Sequence, residues 1–168
     1  MHRAPHSRRY AWIEESQNAR RDSFAQAVED GLGGDRLSLP CRFLYDEVGS
    51  RLFEQICELP EYYLTRAEHE ILTRHADEIV SRCTTPVFLA ELGSGSATKT
   101  RLLIEAFLRR QGRLRYVPVD ISQSALDESA QSLLADYRSL EITAIASEYR
   151  EGLHHLCLLY TSPSPRDS

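Results

Sequence analysis

The stretch Val87-Phe88-Leu89-Ala90-Glu91-Leu92-Gly93-Ser94-Gly95-Ser96-Ala97-Thr98-Lys99-Thr100 leaves this chain few folds. An apolar run of strand length meets an acid, passes two glycines spaced i, i+2 and enters a helical pattern, so a buried strand turns sharply into a helix. Strand, tight turn and helix in that order build an α/β sheet. Glycine is needed in such a turn wherever a side chain would block the backbone path or a ligand's approach, and the first amides of the helix have no partners within it. Something polar is expected to sit there.

Three kinds of ligand compete for the turn. A phosphate-binding loop of pattern G-x-x-x-x-G-K-[ST] fits Gly93 to Thr100 except that Thr98 stands where the second glycine belongs. A dinucleotide fingerprint G-x-G-x-x-G fails at the same residue. An S-adenosylmethionine site, in which acid-x-Gly-x-Gly closes a strand, fits Glu91, Gly93 and Gly95 without repair. Taken alone, the five residues are equally compatible with a plain strand-helix turn whose glycines serve geometry only.

The residues beyond the turn favour a site. Residues 98–110 carry Leu102, Leu103, Ala106 and Phe107 at helical spacing, with Gly112 as the terminator. A second strand, 114–119, stops at Asp120, an acid placed to accept from two ribose hydroxyls. Pro118 cannot donate to a ladder, so a distortion or bulge is expected there. Another helix comes next, with Ser124 and Asp127 as a capping pair, and then a third strand, 140–146, ending in Ser147-Glu148-Tyr149. Alternating strands and helices predict a parallel sheet with right-handed crossovers and a ligand beyond the strands' carboxyl ends, where Gly93, Asp120 and Glu148 fall. Glu148 and Tyr149 could accept from an adenine amino group and pack on its ring.

The N-terminal part offers no catalytic constellation by spacing. Residues 1–9 read as a mobile leader and 13–30 as a weak helix bearing Phe24, Ala27 and Val28, broken by Gly31-Leu32-Gly33-Gly34. Residues 37–50 form an unusually apolar and aromatic loop, a short helix is expected from Ser50 to Ile56, and Thr65 to Glu68 suggest a capping box for a helix reaching Arg82. Tyr62 and Tyr63, between a proline and that helix, are expected to fold back as a lid. His69 and His75 lie six apart and do not share a helix face as metal ligands would. Four cysteines, Cys41, Cys57, Cys83 and Cys157, show no metal-binding or disulfide spacing. With 168 residues and a formal charge of −5, the chain suits one acidic domain, with no basic excess for nucleic acid. The basic start lacks a following apolar stretch, and no segment reaches membrane-spanning length, so a cytoplasmic, monomeric protein is expected.

Taken together, these residues resemble the histidine-specific, S-adenosylmethionine-dependent methyltransferase family, known for trimethylating the α-amino group of L-histidine in ergothioneine biosynthesis. The similarity covers about 37–156. It rests on Phe43-Leu44-Tyr45-Asp46-Glu47-Val48-Gly49-Ser50, on Leu59-Pro60-Glu61-Tyr62-Tyr63 with Thr65, Arg66 and Glu68, on the turn from Glu91 to Ser96 with Lys99 to Leu103, and on Tyr116-Val117-Pro118-Val119-Asp120-Ile121-Ser122. The resemblance implies a Rossmann-like class I methyltransferase fold, α/β, a parallel sheet with flanking helices behind an N-terminal helical segment. It puts Gly93 and Gly95 against S-adenosylmethionine, Lys99 and Tyr63 at its carboxylate end, Asp120 on the ribose, and Glu148 with Tyr149 on the adenine. The family has aspartate and phenylalanine at those last two positions. Glu91 belongs to the same cofactor set, Tyr45 is a candidate on the substrate side, and Pro118 becomes a family feature.

The expected divisions are a leader and weak helix at 1–36, a helical lid at 37–86, a partial cofactor domain at 87–156 and a tail at 157–168 unlike the family. That tail reads as translated read-through beyond a truncated frame, or as a natural Pro/Ser-rich end. Family members continue into further strands and a substrate domain, so this chain is expected to carry the cofactor half only, and by itself to be inactive. The substrate is a small amino acid or amine, no metal is implied, and no catalytic residue is assigned. A non-catalytic S-adenosylmethionine-binding module is the alternative, with a dinucleotide-dependent oxidoreductase behind it.

Overall fold

A computed structural model describes residues 9–14 and 17–161. In chain order the elements are β1 (Tyr10–Glu14), α1 (Gln17–Leu32), a 3-10 turn (Cys41–Leu44), α2 (Glu47–Glu58), α3 (Leu64–Ser81), β2 (Leu89–Leu92), α4 (Thr100–Gln111), β3 (Leu114–Asp120), α5 (Gln123–Asp136), β4 (Leu140–Ala146) and α6 (Tyr149–Thr161). The strands form one parallel sheet in the order β1-β4-β3-β2. The parallel sheet with flanking helices is the Rossmann-like arrangement expected.

β3 and β4 are interior strands covered on both faces, which is why they read as almost continuous apolar runs. On one face Leu114, Tyr116, Leu140, Ile142 and Ala144 are buried with Ile104 and Phe107 of α4 and Leu126 and Leu133 of α5. The helix α3 packs against α4 and adds Ala76 and Val80 to the same core. On the other face Val117, Val119 and Ile145 meet Leu156 of α6. Gly152 allows that contact, because a Cβ there would lie 2.4 Å from Val119 Cγ1.

Pro118 does not bulge β3. The pairing with β4 keeps one register on both sides of it, from Tyr116 opposite Ile142 to Val119 opposite Ile145, while Pro118 faces Glu91 across β2. The proline is instead fully buried in a strand whose register is the same on either side of it.

Several local expectations are corrected. Ile13 and Glu14 do not begin the weak helix expected over 13–30 but end an edge strand, Tyr10–Glu14, with Tyr10 opposite Ile142. Arg9, assigned above to a mobile leader, is fastened: its Nη1 donates to the carbonyls of Tyr137 at 2.9 Å and Leu140 at 3.3 Å, and Nη2 to Leu134 at 3.2 Å. These acceptors include the unpaired carbonyls that end α5. Residues 1–8 lie outside the described residues. Helix α2 starts before Ser50, because Asp46 caps it by accepting from the Gly49 amide at 2.7 Å. The capping box at Thr65 does not form: α3 begins at Leu64, its N-cap Tyr63 makes no side-chain cap, and Glu68 is drawn to Lys99 instead. The cap of α5 is Ser122, not Ser124. Gly112 ends α4 at φ 75°, as the sequence predicts.

Candidate functional site

The carboxyl ends of β2, β3 and β4 meet around the glycine turn. Three residues there take left-handed backbone angles: Gly93 (φ 73°), Gly95 (φ 49°) and Ala97 (φ 54°). Ala97 is buried, and its conformation costs about 1 kcal/mol for a residue bearing a Cβ. The turn is tied to the next strand, since the Gly93 amide donates to the Val119 carbonyl at 2.8 Å and the Gly95 amide to Asp120 Oδ2 at 2.9 Å. Asp120 Oδ1 accepts from the Ser122 amide at 2.9 Å, and the Asp120 carbonyl from the Ser147 amide at 3.1 Å. Asp120 therefore joins the ends of all three strands, while each carboxylate oxygen keeps a lone pair.

Glu91 braces the turn from within. Its Oε1 accepts from Thr100 Oγ1 at 2.6 Å, at the first turn of α4, and its Oε2 from the hydroxyl of fully buried Tyr116. Burial raises the Glu91 carboxyl above its ordinary range, against the two hydrogen bonds and the Lys99 charge, which lower it. Burial and the neighbouring Glu91 push Tyr116 far upward, so its hydroxyl stays a donor. Ser94, 6% exposed, lies close to the Tyr116 hydroxyl yet forms no well-shaped hydrogen bond.

On the outer side the predicted residues take different places. A Cβ at Gly95 would meet nothing within 4 Å, so space is open there, whereas one at Gly93 would lie 2.5 Å from Tyr149 Oη. Tyr149 thus lies over the turn itself, and its hydroxyl is raised by burial and by Asp120, Tyr45 and Cys41 nearby. Lys99 forms an ion pair with Glu68 of α3. Tyr63, 64% exposed, stands at the start of α3. His69 and His75 have separate local partners, Thr73 and Glu78.

Beside the strand ends lies a cavity of about 200 Å³, lined by Phe24, Arg42, Phe43, Tyr45, Asp46, Ile121 and Glu148. Phe43 packs edge-on against Phe24 with centroids 4.9 Å apart, and Tyr45 against Phe53, which touches Tyr62 in turn. Arg42 Nε lies 3.0 Å from Glu148 Oε1. Sequence reasoning finds Glu148 and Tyr45 but misses Arg42, Phe43, Thr100 and Tyr116. The aromatic content of 37–50 signals that the loop packs on something; Phe24 and Phe53 are near in sequence, but Ile121 and Glu148, more than seventy residues away, leave no local pattern.

The family model described as histidine-specific, S-adenosylmethionine-dependent methyltransferase matches residues 24–165 of the chain. The match extends on both sides of the 37–156 read from the sequence, and α6 runs through Cys157. Over 126 residues the chain is 44% identical to histidine N-alpha-methyltransferase of Mycobacterium tuberculosis, covering 75% of this chain and 39% of that protein. With histidine N-alpha-methyltransferase of Mycolicibacterium smegmatis the identity is 39% over 136 residues, 79% of this chain and 42% of the relative. Ergothioneine biosynthesis protein 1 of Schizosaccharomyces pombe is 31% identical over 148 residues, 85% of this chain and 19% of its own length. The chain thus spans less than half the length of these curated relatives.

Proposed function

From membership of the histidine-specific, S-adenosylmethionine-dependent methyltransferase family, to which this chain belongs, we infer a methyltransferase that acts on the α-amino group of L-histidine or a closely related amine. The observation that carries the inference is the tie between the Gly95 amide and Asp120 Oδ2, which puts a left-handed glycine turn and a partly free carboxylate side by side at the strand ends. The open space over Gly95 and the poorly satisfied hydroxyl of Ser94 support a ligand on this turn.

In this reading Gly93 and Gly95 bring bare backbone to the cofactor, and the remaining lone pairs of Asp120 accept from its ribose hydroxyls. Lys99 turns from Glu68 toward the carboxylate end, with Tyr63 beside it. Glu148 accepts from the ring amine, and Tyr149, already over Gly93, moves aside and packs on the ring. Glu91 belongs to the cofactor site by holding the turn's shape through Thr100 and Tyr116. Tyr45, on the cavity wall, faces the substrate side. S-adenosylmethionine supplies an already activated methyl group, so the protein's part is to orient an uncharged amine and keep water out. A cytoplasmic, monomeric enzyme completes this reading.

Titration calorimetry with S-adenosylhomocysteine, with NAD as the control, tests the cofactor assignment. Binding of the first alone, abolished by Asp120→Ala, is expected. Binding of NAD, or of neither by folded protein, overturns it. Incubation of the complete gene product with S-adenosylmethionine and L-histidine, read by mass spectrometry for added methyl groups, tests the acceptor.

A further inference from the structure

Arg42 lies in a 3-10 turn between two apolar segments and reaches a carboxylate at the far end of the sheet. Its guanidinium carbon is 4.7 Å from the centroid of its neighbour Phe43, and Nε, withdrawn from solvent, is 3.0 Å from Glu148 Oε1. Exposed ion pairs contribute little because water screens them and long side chains lose freedom. This pair differs from such pairs in two ways. The side chains are 38% and 42% exposed, but the contacting nitrogen is withdrawn from solvent and the guanidinium lies over an aromatic ring that itself packs on Phe24. Glu148 follows β4 directly, so the pair joins the aromatic wall of the cavity to the rigid sheet.

Both sides of the pair line the same cavity. Arg42 Nε is not aligned for a hydrogen bond with Glu148, so the carboxylate keeps acceptor capacity toward the cavity. An occupant with a flat apolar ring would pack against Phe43 and offer an N–H to Glu148. We propose that Arg42 is a positioning residue of this site: its pairing with Glu148 fastens the aromatic segment 41–45 over the cavity and fixes the carboxylate for the ligand. The ligand half of this rests on the cofactor assignment proposed above; the fastening does not.

Two measurements separate the halves. The first is amide hydrogen exchange at Phe43 and Tyr45, whose amides close the 3-10 turn onto the Pro40 and Arg42 carbonyls. Arg42→Gln and Glu148→Gln should each speed exchange there roughly twofold to fivefold, the upper part of the range for a pair at the surface. The double variant should match Arg42→Gln, because once Arg42 is replaced the link that Glu148→Gln removes is already gone. Unchanged exchange in Arg42→Gln, or effects that multiply in the double variant, overturns the fastening. The second is S-adenosylhomocysteine affinity, expected to fall several-fold in Arg42→Gln. Equal affinity in wild type and variant overturns the positioning role. If wild type binds none, the cofactor assignment and the ligand half fail together, and the exchange result alone decides the fastening.

Discussion

Tyr116→Phe removes one oxygen from beneath the glycine turn and leaves Glu91 with a single side-chain donor, Thr100. The ring still fills its place in the core, so the loss is that of one hydrogen bond to a carboxyl. When that carboxyl is neutral the bond contributes about 1 kcal/mol; when it is ionised, about 2–3 kcal/mol. Glu91 is raised on folding, chiefly by burial, and the Tyr116 bond opposes that rise. A carboxyl raised in the fold contributes stability that is fully present below its ordinary value of 4.5 and is lost as pH climbs through the folded value. Without the Tyr116 hydroxyl the folded value moves higher still, so more is lost by neutral pH. The destabilisation by Tyr116→Phe should therefore grow from about 1 kcal/mol near pH 4.5 to about 2–3 kcal/mol near pH 7.5. Urea unfolding across that range, in the wild-type and Glu91→Gln backgrounds, measures it. In the Glu91→Gln background the pH dependence of the penalty should vanish. A penalty that is flat in pH with Glu91 intact, or that shrinks as pH rises, would refute the assignment of this bond to an ionisable, buried carboxyl.

Two further substitutions probe the frame that holds the site. Gly152→Ala gains helix propensity but forces a methyl to 2.4 Å from Val119 Cγ1, and overpacking in a buried layer outweighs the gain; a net loss of about 1–2 kcal/mol is expected in chemical denaturation, and a neutral or stabilising result would mean that α6 shifts freely on the sheet. Arg9→Ala strips four carbonyls, from the end of α5 to the start of β4, of a charged donor, which should cost about 1–2 kcal/mol and speed amide exchange along β1; unchanged exchange at β1 would refute its role as the strand's anchor.

The readable parts of this chain are those whose causes are local. β4 falls on 140–146 as its apolar run predicts, and the turn into α4 follows from Gly93 and Gly95 because left-handed angles at those positions demand glycine. Asp120 is found where a strand ends in an acid, but its bond to the Gly95 amide joins two turns that share no sequence pattern. Where the sequence misleads, a distant partner decides. Tyr10–Glu14, at the edge of the sheet, is defined as a strand by its pairing with β4 alone. The capping box expected at Thr65 yields because Glu68 meets Lys99 instead of its own helix start. Helix α6 carries a glycine near its beginning, which lowers local propensity, and only Val119 explains why it belongs there.

The placement of β1 sets an order on the way the chain assembles. β2, β3 and β4 are each joined to the next by one helix, so they can pair as soon as each short unit is complete. Tyr10, by contrast, must find Ile142, more than a hundred residues further along. Closing so long a loop is slow relative to the local pairings, and little rewards it until β4 exists. Of the four described strands, the first in sequence is therefore the last to dock. Until then one side of β4 is a bare row of backbone donors and acceptors open to pairing with another chain. In the folded chain Arg9 holds the end of α5 beside the edge that β1 covers.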